Sequence, residues 1–138
     1  MGWGGVLRDH DGRWISGISG SGNDGCPLLA ELLAIQHGLQ HAWQLGYRRI
    51  DCETDYLEVV ELINGDLNVC NHWYIDIILS IRGMWLWHWD LSLTHISRDS
   101  NMVADALARE ASEGGVIHRI WRFPHSSVIH ILCLDLLV

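Results

Sequence analysis

Ile50-Asp51-Cys52-Glu53-Thr54-Asp55-Tyr56 reads as a short strand that carries a carboxylate to its own C-terminal end just before a helix. Upstream, Gly46 stops a long amphipathic segment and Arg48-Arg49 leads into the strand. Downstream, Leu57-Glu58-Val59-Val60-Glu61-Leu62-Ile63 has helical spacing and ends at Asn64-Gly65. Helix, strand, helix is the repeating unit of α/β sheets, in which ligands sit outside the carboxyl ends of strands. Asp55 is therefore better placed for chemistry than for packing.

Moving outward toward the N-terminus, Pro27 suits a first helical turn, and Leu28, Leu29, Leu32, Leu33, Ile35, Leu39, Ala42 and Trp43 make a broad apolar stripe. Glu31 interrupts that stripe, because Leu28, Ala34, Ile35 and Gly38 share its face. Two readings stand: a carboxylate that points inward with the stripe, or the more ordinary one at its edge that reaches water. His37 and His41 lie one turn apart, a spacing that can hold a metal, but no third ligand is near and a solvated face is the expectation. Before the helix, residues 2–20 read as a β-hairpin whose turn is Asp9-His10-Asp11-Gly12. Turn chemistry accounts for both of its aspartates without a metal.

Toward the C-terminus, Ile75, Ile78, Leu79, Arg82 and Met84 belong to a helix of about three turns that starts near Asn71. Trp85, Trp87 and Trp89 then alternate into Leu91, Leu93 and His95, the periodicity of a strand with one apolar face. Such a stripe could stack bases, though packing is the commoner use. Asn101 is a good N-cap for a helix that ends at Gly114-Gly115, with Asp105 in its first turns, where the helix dipole favours an anion. Residues 1–114 read as one domain, and residues 115–138 as an appended tail with Pro124 as a break.

The 138 residues suit a single folded domain, with 49% apolar and 19% charged side chains. Seventeen acidic against nine basic residues give a formal charge of −8, so the average field repels nucleic acid. Such a partner would need divalent metal or a local patch. Cys26, Cys52, Cys70 and Cys133 are scattered and form no C-x-x-C, which argues against a zinc site or a disulfide scaffold and for an intracellular setting, nucleus or cytoplasm. The apolar run from Val128 to Val138 is too short to span a bilayer, and no membrane segment is expected.

Taken together, Glu31, Asp55 and Asp105 are carboxylates on three elements around one strand end. Clustered carboxylates need cations to stay ionised, and Mg²⁺ (or Mn²⁺) suits all-oxygen ligands. The segments Trp3-Gly4-Gly5-Val6-Leu7-Arg8-Asp9, Ala30-Glu31-Leu32, Glu53-Thr54-Asp55, and Thr94-His95-Ile96-Ser97-Arg98 through Asn101-Met102-Val103-Ala104-Asp105-Ala106-Leu107-Ala108 resemble ribonuclease H domains. The plant retroelement group, often found behind a non-LTR reverse transcriptase, is the nearest in pattern. The resemblance runs in unbroken order over residues 2–114. It implies an α/β, ribonuclease H-like fold with a mixed sheet flanked by helices on both faces. It also implies metal-dependent cleavage of the RNA strand of an RNA–DNA hybrid, with Glu31, Asp55 and Asp105 as metal ligands. His95 falls where many members carry a histidine that helps product leave or shuttles a proton; a strand-end histidine without a catalytic part is an equal reading.

One departure matters. The resemblance places a further catalytic Asp on a central strand ahead of Trp3, and that strand is missing here. Without its metal-bridging carboxylate, little or no nuclease activity is expected, because two-metal clamping of the attacking and leaving oxygens is weakened. Loss of a central strand also exposes two inner sheet edges, unless the hairpin slides across or the tail moves in. Marginal stability is the resulting expectation. The competing readings are a non-catalytic module that binds hybrid or structured RNA by shape, and a relic whose surface serves protein contacts.

Overall fold

The computed structural model describes residues 2–9, 14–21, 26–65, 73–97, 118–121 and 136–137. Their elements, in chain order, are β1 (Gly2–Arg8), β2 (Trp14–Ser21), α1 (Pro27–Gln44), β3 (Arg49–Thr54), α2 (Leu57–Asn64), α3 (Ile75–Met84), β4 (Asp90–His95), β5 (His118–Trp121) and β6 (Leu136–Leu137). The strands form one mixed sheet in the order β4-β3-β6-β1-β2-β5. β1 and β2 are the expected hairpin, antiparallel from Gly2↔Ser21 to Arg8↔Trp14 with an irregularity between Leu7 and Arg8.

α1 starts with Pro27 in its first turn and ends in a Schellman motif. Gly46 takes φ 93°, which a residue with a Cβ rarely adopts. That turn lets the Gly46 N–H donate to Trp43 O at 3.0 Å and the Tyr47 N–H donate to Ala42 O at 3.1 Å. The reversal returns the chain as β3. Leu28, Leu32, Ala34, Ile35, Gly38, Leu39 and Ala42 are the buried face of α1. His37 and His41 are not a solvated face. His37 stacks on Trp3, ring centroids 4.7 Å apart and 7° from parallel. His41 Nε2 lies 2.9 Å from the Ser16 hydroxyl. Both pin the helix to the hairpin, through partners that local periodicity does not reveal.

β3 alternates as a strand should, with Ile50, Cys52 and Thr54 buried. Ile50 and Cys52 share a core cluster with Leu7, Leu32, Ile35, Leu39, Val59, Leu62, Ile78, Ile81 and Leu93. This one cluster draws on all three described helices, so α1, α2 and α3 pack on one face of the sheet. Val6 and Arg8, of opposite parity to Trp3 and Leu7, are buried as well. The helix expected from Asn101 to Gly114 lies outside the described residues. Arg82 of α3 holds the end of α2, donating from Nε and Nη2 to Leu62 O at 3.0 and 2.6 Å and from Nη2 to Gly65 O at 3.2 Å. A cation there satisfies the last carbonyls of the helix and complements its dipole.

The tryptophan stripe is not a strand. The chain turns at Trp85 and Leu86, bends from Trp87 to Trp89, and enters β4 only at Asp90. Here tertiary packing overrides the alternation. Trp87 and Trp89 lie edge-on to Trp43 of α1 with centroids 4.9 and 5.1 Å away. Trp89 Nε1–H donates to Met84 O at 2.6 Å. The Arg48 guanidinium stacks 3.6 Å from the Trp43 ring centroid.

Two strands of the sheet come from residues 115–138. β5 pairs antiparallel with β2. β6 enters between β1 and β3, parallel to the first and antiparallel to the second. β6 thus makes the sheet continuous from β4 to β5.

Candidate active site at the carboxyl end of β3

β3 and β4 are parallel and end at the same level, with Thr54 opposite His95. The pairing is extended by one bond, from Ile96 N–H to Thr54 O at 2.8 Å. Asn64 at the end of α2 donates from Nδ2 to Leu93 O at 2.8 Å. The strand ends are therefore fixed from both sides before the chain leaves the sheet.

Thr54 is 1% exposed and organises the passage from β3 into α2. Its hydroxyl donates to Glu31 Oε2 at 3.1 Å and accepts from the Tyr56 N–H at 3.2 Å. One bond holds the α1 carboxylate to the end of β3; the other caps the chain as it turns into α2, whose N-cap residue Tyr56 makes no side-chain cap of its own. Glu31 is thus half-buried and turned toward the strand end, the inward of its two readings. Asp55 comes directly after Thr54, half-buried, and its backbone carbonyl lies 3.2 Å from His95 Nε2. Partial burial first, then the charges of Glu58, Cys26 and Glu31, push the Tyr56 phenol above its ordinary range. Negative charge is concentrated at this end of the sheet.

Glu31 and His95 thus both reach the end of β3, Glu31 at the Thr54 hydroxyl and His95 at the backbone carbonyl of Asp55. Asp105 lies outside the described residues, as does Asp11 of the hairpin turn. Among the described residues no group of three or more His, Cys, Asp or Glu is gathered to hold a metal ion. Thr54 was not singled out by sequence reasoning, although its parity with Ile50 and Cys52 places it on the face of Glu31. Replacing it by the isosteric Val is expected to lower stability by about 1–2 kcal/mol, because Glu31 loses a donor and the Tyr56 N–H an acceptor. Urea unfolding measures this, and an unchanged midpoint would show that the hydroxyl links nothing.

On the other face of β3, the Ser92 hydroxyl donates to Asp51 Oδ1 at 2.8 Å. Burial first, and Asp51 second, raise the Glu53 carboxyl above its ordinary value of 4.5. The folded state then binds the Glu53 proton more tightly than the unfolded chain. That contribution favours folding below pH 4.5 and is lost as the pH rises through the raised value. Glu53→Gln should therefore gain in thermal midpoint relative to the unaltered chain between pH 4 and pH 7, which paired melts at the two pH values check.

The mixed sheet, the hairpin, and the parallel strand pair whose end is bonded through Thr54 to a helix-borne carboxylate are the architecture of a ribonuclease H-like domain. The fold matches RNase H1 of the halophilic archaeon Halobacterium salinarum, with a TM-score of 0.60, 24% identity, and coverage of 72% of this chain and 84% of that one. It also matches the N-terminal RNase H domain of a Mycobacterium tuberculosis protein, solved as a fusion with maltose-binding protein, with a TM-score of 0.61, 18% identity, and coverage of 82% and 91%. Residues 2–111 match the sequence profile of the family described as reverse transcriptase-like, and the chain belongs to that family. Over 109 residues it is 31% identical to an Arabidopsis thaliana protein that carries the name of a ribonuclease H protein. The aligned part is 78% of this chain and 17% of that relative, so the chain spans under a fifth of the relative's length.

Proposed function

We propose that this domain belongs to a lineage of metal-dependent RNA–DNA hybrid ribonucleases, and that the 138 residues alone cleave weakly or not at all. The observation that carries the reading is the Glu31 carboxylate held by Thr54 next to Asp55, with His95 on the Asp55 carbonyl. The Arabidopsis relative supports a plant setting, and the family description supports a retroelement origin. Among the described residues no helix is long and apolar enough to cross a membrane.

The donor chemistry fits a hard cation. Glu31 and Asp55 offer carboxylate oxygens, and Mg²⁺ (or Mn²⁺) is held by one or two carboxylates plus waters. These two residues would hold it, with Asp105 as a third ligand. When bound, the metal supplies charge neutralisation for a phosphate and an activated water. With a net charge of −8, the protein's own average field opposes the hybrid, so metal is also needed for approach. Glu31 is oriented by its bond from Thr54. His95, exposed at the strand end, would move a proton at its ring nitrogen.

The test is cleavage of a labelled hybrid by the chain as it stands and by a chain with an N-terminal strand bearing an Asp placed ahead of Trp3. Mg²⁺-dependent cleavage by the second alone supports the reading. Salt-dependent binding by both without cleavage would favour the non-catalytic binding module, and no binding at any salt the protein-contact relic.

A further inference from the structure

The parallel strands β3 and β4 have a second end, and it is built unlike the first. Their amino ends lie the length of β3, about 17 Å, from the ends at Thr54 and His95. Trp43 in the last turn of α1 meets Trp87 and Trp89 there, and the last two rings are 5.6 Å apart. The cluster stands on fixed backbone. Trp89 is tied to Met84 O, and the N–H groups of Leu86 and Trp87 donate to Gly83 O and Met84 O, each at 3.1 Å. Turns usually carry polar side chains, yet Leu86 is 87% and Trp87 38% exposed, and Leu45 beside the end of α1 is exposed as well. One exposed apolar residue is ordinary. Two leucines around exposed tryptophan, held rigidly, have the composition of an interaction surface.

The charge of this surface departs from that of the chain. Acids outnumber bases 17 to 9 overall, but residues 43–49 and 83–89 contain no Asp or Glu. Arg49 and Asp90 lie level with each other on the parity opposite to buried Ile50, so their charges turn to the other face of the sheet. Arg48 is the cation of the surface. It stacks on Trp43, and its Nη1 donates to Trp43 O and Tyr47 O, both at 2.9 Å. Both bonds use one nitrogen of the fork, which among the described residues leaves Nε and Nη2 to an acceptor from outside.

These features select the occupant. A second copy docked through the same surface would set Arg48 against Arg48 with no acid between them. A nucleic-acid strand would find a cation and a ring, but Leu45 and Leu86 offer its bases no flat face. An acidic peptide with a bulky apolar side chain uses every part, the apolar group on Leu86 and Trp87 and a carboxylate on Arg48. We propose that the surface of Trp43, Leu86, Trp87 and Arg48 is a docking site for an acidic segment of a partner protein, with an aromatic or large aliphatic residue among its acids. The site lies apart from the strand ends near Glu31 and does not rest on the nuclease reading.

Selection from a displayed library of random dodecapeptides on the full chain tests this. Enriched sequences should combine Asp or Glu with Trp, Phe or Leu, and a synthetic peptide of that sequence should bind more weakly as salt is raised. Leu86→Glu and Arg48→Gln should each weaken its binding by about tenfold or more. Leu57→Glu, exposed at the start of α2, should leave it unchanged. Leu86 is too exposed for its replacement to disturb the core, so a loss there reads the surface itself. Failure to enrich acidic, apolar sequences overturns the proposal, as does a peptide whose affinity survives both substitutions. Single-stranded oligouridylate that displaces the peptide and binds more tightly than it does would also overturn it, and would make the surface a base-stacking platform.

Discussion

Asp55→Asn, made in a chain that carries the added acid-bearing strand, is expected to abolish Mg²⁺-dependent hybrid cleavage while the fold survives. Loss of an outer-shell partner in a metal site costs about 10–100-fold, and a direct ligand should cost more. The fold is spared because the contact from His95 goes to the Asp55 backbone carbonyl, which the amide variant keeps. Asn also preserves the shape of the side chain at the entry to α2. The unfolding free energy should stay within about 0.5 kcal/mol of the parent. Asp11→Asn, in the hairpin turn, should leave the rate unchanged. Cleavage that survives Asp55→Asn would move the site elsewhere.

That Asp55 could be picked out at all is owed to the local character of its signals. The helix before it is bounded by Pro27 and Gly46, and the Schellman geometry at Gly46 is what such a glycine is for. The strand around Ile50 ends where the spacing changes from two to helical, and α2 begins at Leu57 as that change requires. Glu31 was harder. An acid in an apolar stripe has an exposed and an inward reading, and only the Thr54 hydroxyl decides between them. Where partners are distant in sequence, local periodicity misled. The tryptophans after Met84 alternate like a strand, but Trp43, far earlier in the chain, captures Trp87 and Trp89 and the chain turns instead. His37 and His41 have the spacing of a solvated or metal-binding pair, and nothing near them in sequence announces Trp3 or Ser16. β6 is the limiting case. An apolar run after Ser127 is visible, but which two of its residues enter the sheet, and between which strands, depends on a gap that only the assembled fold creates.

Five residues before Asp55, the expected effect reverses: Ile50→Ala should leave the site's chemistry untouched and take away much of the stability. Ile50 is 0% exposed and lies in the cluster that joins β3 to all three described helices. Truncating a buried Ile to Ala removes its transfer free energy and leaves a cavity that the surroundings only partly fill, a loss of about 2–5 kcal/mol. Collapse into the hole is limited here, because Leu7, Leu39 and Leu93 approach from different elements and each is anchored in its own. Against a domain stability of about 5–15 kcal/mol, such a loss moves the urea midpoint far enough to read directly. Arg49→Ala, next along the strand and exposed, should shift it by no more than about 0.5 kcal/mol. In the strand-restored chain, the Ile50→Ala variant should still cleave at temperatures below its lowered midpoint, since no group that touches metal or hybrid has changed. The two substitutions thus separate what β3 does as a scaffold from what it delivers at its end. An Ile50→Ala protein as stable as its parent would mean that β3 is not packed against the helices, and the link from the end of β3 to Glu31 through Thr54 would lose its support.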